Sequence, residues 1–142
     1  MTDPKRDVNI SMNVQVSKQF LADILTGMAE TCPEMTGWFG DENTNIVRIK
    51  EGEDWLQPLS VLRISGRYDD KDSAEGERKG RTTIDMASVA LGLSRAVVYE
   101  NLNSSIRERI LGGIVGDDAG EIDSEACDVI AQLAIFGEII YG

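Results

Sequence analysis

Hydrophobic and polar positions alternate through VNISMNVQV. Val8, Ile10, Met12, Val14 and Val16 share one side, and Asn9, Ser11, Asn13 and Gln15 the other. A period of two predicts a half-buried antiparallel strand. The period changes at Ser17, where Phe20, Leu21, Ile24, Leu25 and Met28 form a single helical stripe. Ser17 is the expected N-cap, and Pro33 and Gly37 close the element. A short strand, NIVRIK, follows the turn-rich GDENT. A third strand lies in WLQPLSVLRISGRYDD, entered at Pro58. One of its faces carries Leu62, Ile64 and Tyr68, and the other Arg63, Ser65 and Arg67.

The stretch DDKDSAEGERKGR holds no apolar residue larger than alanine, which predicts a solvated loop. Thr82 or Thr83 is then the expected cap of a helix over IDMASVALGL, with Met86, Val89, Ala90 and Leu93 inward. A loop with Tyr99, Asn101 and Asn103 leads to SSIRERILGGI, where Ile106, Ile110 and Leu111 make a stripe and Arg107 and Arg109 stand off it. GDDAGE reads as a turn. Asp123 caps a last helix, with Ile122 as its hydrophobic staple.

Beyond its first turn this last helix has two polar residues, Asp128 and Gln132, one turn apart. A helix apolar on nearly every side is buried on most of them. In a chain of 142 residues a second copy is the expected cover. That places Val129, Ile130, Leu133, Phe136 and Tyr141 at a subunit interface. The closing GEIIYG reads as a short buried strand or part of that interface. The expected architecture is α+β in a single domain over residues 1–142, with a small antiparallel sheet and a helical C-terminal half that forms an oligomer interface.

Composition narrows the function. Asp and Glu total 25 against 14 Lys and Arg, a formal charge of −11. That charge repels phosphate backbones and argues against direct nucleic-acid binding. The sequence has no histidine. Ser-His-Asp and Cys-His catalysis and histidine-ligated zinc are thereby excluded, along with the commonest general base near neutrality. The longest apolar runs fall far short of the ~20 residues that cross a bilayer, so no membrane partner is expected. MTDPKRDVNI lacks the apolar core of a secretory signal. Cys32 and Cys127 are therefore expected as free thiols in the cytoplasm, here a host-cell cytoplasm.

Candidate chemistry concentrates in arginine. Arg63 and Arg67 on one strand face, with Arg81, Arg107 and Arg109 elsewhere, could converge on a phosphate. Asn101, Asn103, Trp38 and Tyr99 would complete a ligand set by hydrogen bonding and stacking. The bland alternative is that these arginines pair with the abundant carboxylates on a solvated face. The acidic runs DDKDSAEGE and GDDAGEIDSE do not follow the ligand order of a calcium loop, and GIVGDDAG lacks the lysine of a phosphate loop. No metal, cofactor or catalytic residue is expected. Cys127 reads as an inert core thiol, and Cys32, without a base, as no nucleophile.

CDVIAQLAIFGEIIYG, with Asp128, Gln132, Ala134, Phe136-Gly137-Glu138 and Tyr141-Gly142, resembles the ending of a group of small tailed-phage proteins. TIDMASVALGL is similar to their middle. In that group a Gly-Gly and an aromatic-Trp pair often follow the first helix. AETCPEMTGWFG has Gly37-Trp38-Phe39 but not the paired glycines. A further resemblance is to the phage Thoeris anti-defence proteins, oligomeric sponges that trap a cyclic ADP-ribose signal. It implies a homo-oligomeric counter-defence protein that sequesters a small cyclic nucleotide without turnover. The alternative is an acidic mimic of DNA that inhibits a host nucleic-acid-binding or CRISPR-type complex.

Overall fold

A computed structural model describes residues 13–31, 45–47, 61, 63–69 and 79–140. The strand expected over Val8–Val16 lies partly outside these residues. Its described end, 13–16, has no regular structure, with Val14 half exposed at 50%. Pro33, Gly37 and Pro58 also lie outside them.

Helix α1 runs Lys18–Thr31. Ser17 caps it as its sequence position suggests, its Oγ accepting from the Phe20 amide at 3.0 Å. Ser17 also donates, through its amide (2.9 Å) and its hydroxyl (3.1 Å), to Oδ1 of Asp117. Phe20, Ala22, Ile24, Leu25, Met28 and Ala29 are buried along one side.

The three strands β1 (Asn45–Val47), β2 (Arg63–Asp69) and β3 (Lys79–Asp85) form an antiparallel sheet in the order β1-β2-β3. Its inner face is marked by Ile46, Ile64 and Ile84, aligned across all three strands. Strand β3 corrects the solvated-loop reading of its first residues. The apolar signal in KGRTTID is almost confined to Ile84, while the β-branched Thr82-Thr83-Ile84 run favours a pleated surface.

Asp85 ends β3 and caps helix α2 (Met86–Val98), displacing Thr82 and Thr83 from that role. Its carboxylate accepts from the Ser88 amide at 2.9 Å, and Ser88 Oγ accepts from the Asp85 amide at 3.2 Å, a reciprocal capping box. Helix α3 spans Ser104–Gly116, buries Ile106, Ile110 and Gly113, and leaves Leu111 exposed, against the stripe expected for it. A short 3-10 turn, Ala119–Glu121, leads to helix α4 (Ser124–Phe136). Asp123 caps α4, accepting from the Ala126 amide at 2.9 Å, and Ile122 is buried before it.

Every residue of α4 from Ala126 to Leu133 is buried. The cover comes from α1, α2, α3 and β3 of the same chain. Val129, Ile130 and Leu133 are 6%, 0% and 0% exposed. They have no surface left for a second copy, which corrects the inference from their apolar circumference to a subunit interface. A helix central to a one-domain fold is apolar all round for the same reason as one central to an oligomer. Phe136 packs half-buried on the core edge, and Tyr141 lies outside the described residues.

The closest packing joins α2 to α4. A β-carbon at Gly92 would come within 2.4 Å of the Ile130 carbonyl oxygen, so only glycine fits there. Arg95 reaches the C-terminal end of α4 and donates to the carbonyls of Leu133 (2.6 Å) and Ala134 (3.2 Å). A cation on these last-turn carbonyls also meets the negative end of the helix dipole.

Inside the core, Gln132 Nε2 donates to Asp128 Oδ2 at 3.0 Å, and its Oε1 accepts from the Ile140 amide at 2.8 Å. The Ile139 amide donates to the Tyr99 hydroxyl at 3.2 Å. Residues 138–140 are thus held against their own chain without forming the short strand expected there. Among the described residues, no helix is long and apolar enough to cross a membrane.

Candidate functional site

Strand register decides which charged residues meet. β2 pairs with β3 so that Arg63 faces Asp85, Ser65 faces Thr83, Arg67 faces Arg81 and Asp69 faces Lys79. All eight positions share the sheet face opposite Ile64 and Ile84, because side chains alternate with period two. Opposite charges stand at the two ends of this double row. In its middle, two arginines occupy directly paired positions.

Paired positions on neighbouring antiparallel strands are about 4.5–5.5 Å apart at Cα, and like charges placed opposite each other are destabilising there. Next to this arginine pair the hydroxyls of Ser65 and Thr83 lie 3.2 Å apart and bond to each other. Ser65, Gly66, Thr82 and Thr83 line an open cavity of about 530 Å³. Ser65 and Thr83 stand on the face of the arginine positions, whereas Gly66 and Thr82 belong by register to the face of Ile64 and Ile84.

The other expected ligand residues are not brought to this face. Arg107 donates through Nη2 to the Tyr99 carbonyl, fixing the corner between α2 and α3. Its Nε is buried without a hydrogen-bond partner. Arg109 forms an ion pair with Asp123, the cap of α4, and donates to Ser105 Oγ at 2.8 Å. Asn103 caps α3, its Oδ1 accepting from the amides of Ser105 (2.9 Å) and Ile106 (3.4 Å). Asn101 is exposed in the turn after α2, and Tyr99 ends α2 with its hydroxyl on the Ile139 amide. Trp38 lies outside the described residues. The α2–α3 corner is therefore a set of structural ties, and its arginines are spent on backbone and cap.

Arg63 remains on the arginine face, exposed and opposite Asp85. It stands four residues from Arg67, about 13 Å along the strand, so the nearer partner of Arg67 is Arg81. Sequence reasoning placed Arg81 in a loop; the strand propensity of the threonines beside it was the signal that could have moved it.

Cys127, buried among apolar neighbours, has its thiol pushed up from 9.0 to about 12, chiefly by burial and secondly by the charges of Asp123 and Asp128. It is no nucleophile. Among the described residues, no group of three His, Cys, Asp or Glu is placed to hold a metal ion. No protein-family model, curated protein or solved structure matches this chain.

Proposed function

We propose that the chain is a binding protein that sequesters a phosphate-bearing cyclic nucleotide, of the cyclic ADP-ribose type, on the solvent face of its sheet and releases it chemically unchanged. The observation that carries this reading is the pairing of Arg67 with Arg81 in a protein of charge −11. Twenty-five carboxylates are available to the fold, yet the register sets arginine against arginine. An anion between those positions turns a repulsive pair into two charge-assisted contacts, each worth roughly 1.5–3 kcal/mol. The cavity beside it, about 530 Å³ and lined by Ser65 and Thr83, offers room and hydroxyls for the rest of a nucleotide. A phage setting is implied by the resemblance of the C-terminal stretch to small tailed-phage proteins, and a counter-defence role by the separate resemblance to the Thoeris anti-defence proteins.

The acidic-mimic reading draws on five exposed carboxylates between 117 and 125: Asp117, Asp118, Glu121, Asp123 and Glu125. Three of them are engaged in local structure. Asp117 holds Ser17, Asp118 accepts from the Gly120 amide, and Asp123 caps α4 and pairs with Arg109. Carboxylates spent this way are poor stand-ins for a phosphate row, which favours the sponge.

Calorimetry with cyclic ADP-ribose isomers and cyclic dinucleotides tests the proposal. Binding by the parent is expected, with Arg67→Ala and Arg81→Ala each weaker by about tenfold to a hundredfold, and Arg109→Ala unchanged. Mass spectrometry of the ligand after denaturation should return it intact. A parent that binds none of the panel, or that yields a linear product, overturns the reading.

A further inference from the structure

Asp85 belongs to two elements at once. As the last residue of β3 it stands directly opposite Arg63 on the solvent face of the sheet, and as the N-cap of α2 it opens the helix that follows. Opposite charges at paired strand positions attract each other. Yet Arg63 is exposed, and among the described residues it makes no ion pair and no side-chain hydrogen bond.

The competitor for the carboxylate is in the first turn of α2. Oδ1 of Asp85 accepts from Ser88 twice, from its amide at 2.9 Å and from its hydroxyl at 3.0 Å. The Ser88 hydroxyl in turn accepts from the Asp85 amide at 3.2 Å. Three bonds between the same two residues fix the carboxylate over the start of the helix and hold it off the guanidinium across the strands. Arg63 is thereby left a cation on the face of the Arg67 and Arg81 positions. By register, Ser65 and Thr83 lie between it and that pair. Ser65, which lines the open cavity, is two residues from Arg63, about 7 Å along the strand.

We infer that Ser88 is a positioning residue for the anion site. By drawing the Asp85 carboxylate into the α2 cap, it keeps Arg63 unpaired, and Arg63 takes a second anionic group of the ligand beyond the one held at Arg67 and Arg81. The role rests on the sheet-face reading of nucleotide binding, and it favours ligands with two phosphates over those with one.

Calorimetry with cyclic ADP-ribose tests it, on variants of the full chain whose circular dichroism melts stay cooperative. Arg63→Ala should bind about tenfold more weakly than the parent. Ser88→Ala releases the carboxylate to pair with Arg63 and should weaken binding by up to about fivefold, the worth of a cross-strand ion pair. Asp85→Asn keeps a capping acceptor without the charge, so it should bind at least as tightly as the parent. Adding Ser88→Ala to Asp85→Asn should change nothing further, because no carboxylate is left to release. A Ser88 that only shapes the helix would lower affinity equally in both backgrounds, and that result overturns the inference. So does Ser88→Ala binding as the parent does. Arg63→Ala binding as the parent does, while Arg67→Ala is weaker, sinks the inference and leaves the sheet-face reading standing. A parent that does not bind the nucleotide removes both.

Discussion

The α2–α4 pair and the solvent face of the sheet handle charge in opposite ways. Between the helices every named polar group closes on a partner of the same chain: Arg95 on the carbonyls of α4, and Gln132 between Asp128 and Ile140. On the sheet, Asp85 and Asp69 stand opposite Arg63 and Lys79, but Arg67 stands opposite Arg81. The difference is between polar groups closed within the fold and like charges set opposite each other by strand register. Among the described residues, Arg95, Arg109 and Asp123 are each engaged within the chain. The Arg67–Arg81 register is the pair on which the proposed anion site rests.

The helical side of this comparison breaks most severely. Ile130 is fully buried where α2 meets α4, so Ile130→Asp puts an unpaired carboxylate into an apolar interior. The cost, several kcal/mol, is comparable with the whole stability of a small domain. Loss of the cooperative thermal transition, followed by circular dichroism, is the expected result.

A titration acts on the same core. The Cys127 thiol is held neutral up to about pH 12 in the folded chain, against an ordinary value of 9.0. Between those values the unfolded chain releases its proton and the folded chain does not. Stability from this group is therefore complete below pH 9 and declines as pH rises toward 12. Urea melts of the parent should show a steeper alkaline loss than those of Cys127→Ala. Cys127 of the folded parent should also resist thiol-labelling reagents at pH 8, read on its own peptide by mass spectrometry.

Gln132→Leu gives a smaller effect. It removes the acceptor of the part-buried Ile140 amide and one donor to the buried Asp128 carboxylate. A loss of about 1–3 kcal/mol in urea denaturation is expected.

How much of this was legible in the sequence follows from how local each signal is. The caps Ser17 and Asp123 and the stripes of α1 and α4 are set by neighbours three or four residues away, and they stand where the pattern puts them. The sheet depends on pairing between distant segments. The alternation in Arg63–Asp69 was readable. Its partner β3 was not, because six of the seven residues of KGRTTID are polar or glycine and only Ile84 marks the inner face. Arg67 was therefore identified, but its partner Arg81 was assigned to a loop.

The burial of α4 was legible too, but not what buries it, since an apolar circumference does not record whether the cover is the same chain or another. Arg107, Arg109, Asn103 and Tyr99 looked available because capping and carbonyl contacts leave no trace in composition.

The contrast between the two regions is most directly tested at Arg81. Thermal melts of the parent and of Arg81→Glu, each with and without cyclic ADP-ribose, read both halves of it at once. The substitution sets glutamate against Arg67, so without ligand it should raise stability by roughly 0.2–1 kcal/mol, a gain of up to a few degrees in Tm. It should also abolish the rise in Tm that the nucleotide gives the parent. A lower Tm without ligand, together with an undiminished nucleotide-induced rise, would show that the arginine pair serves the fold and not a ligand.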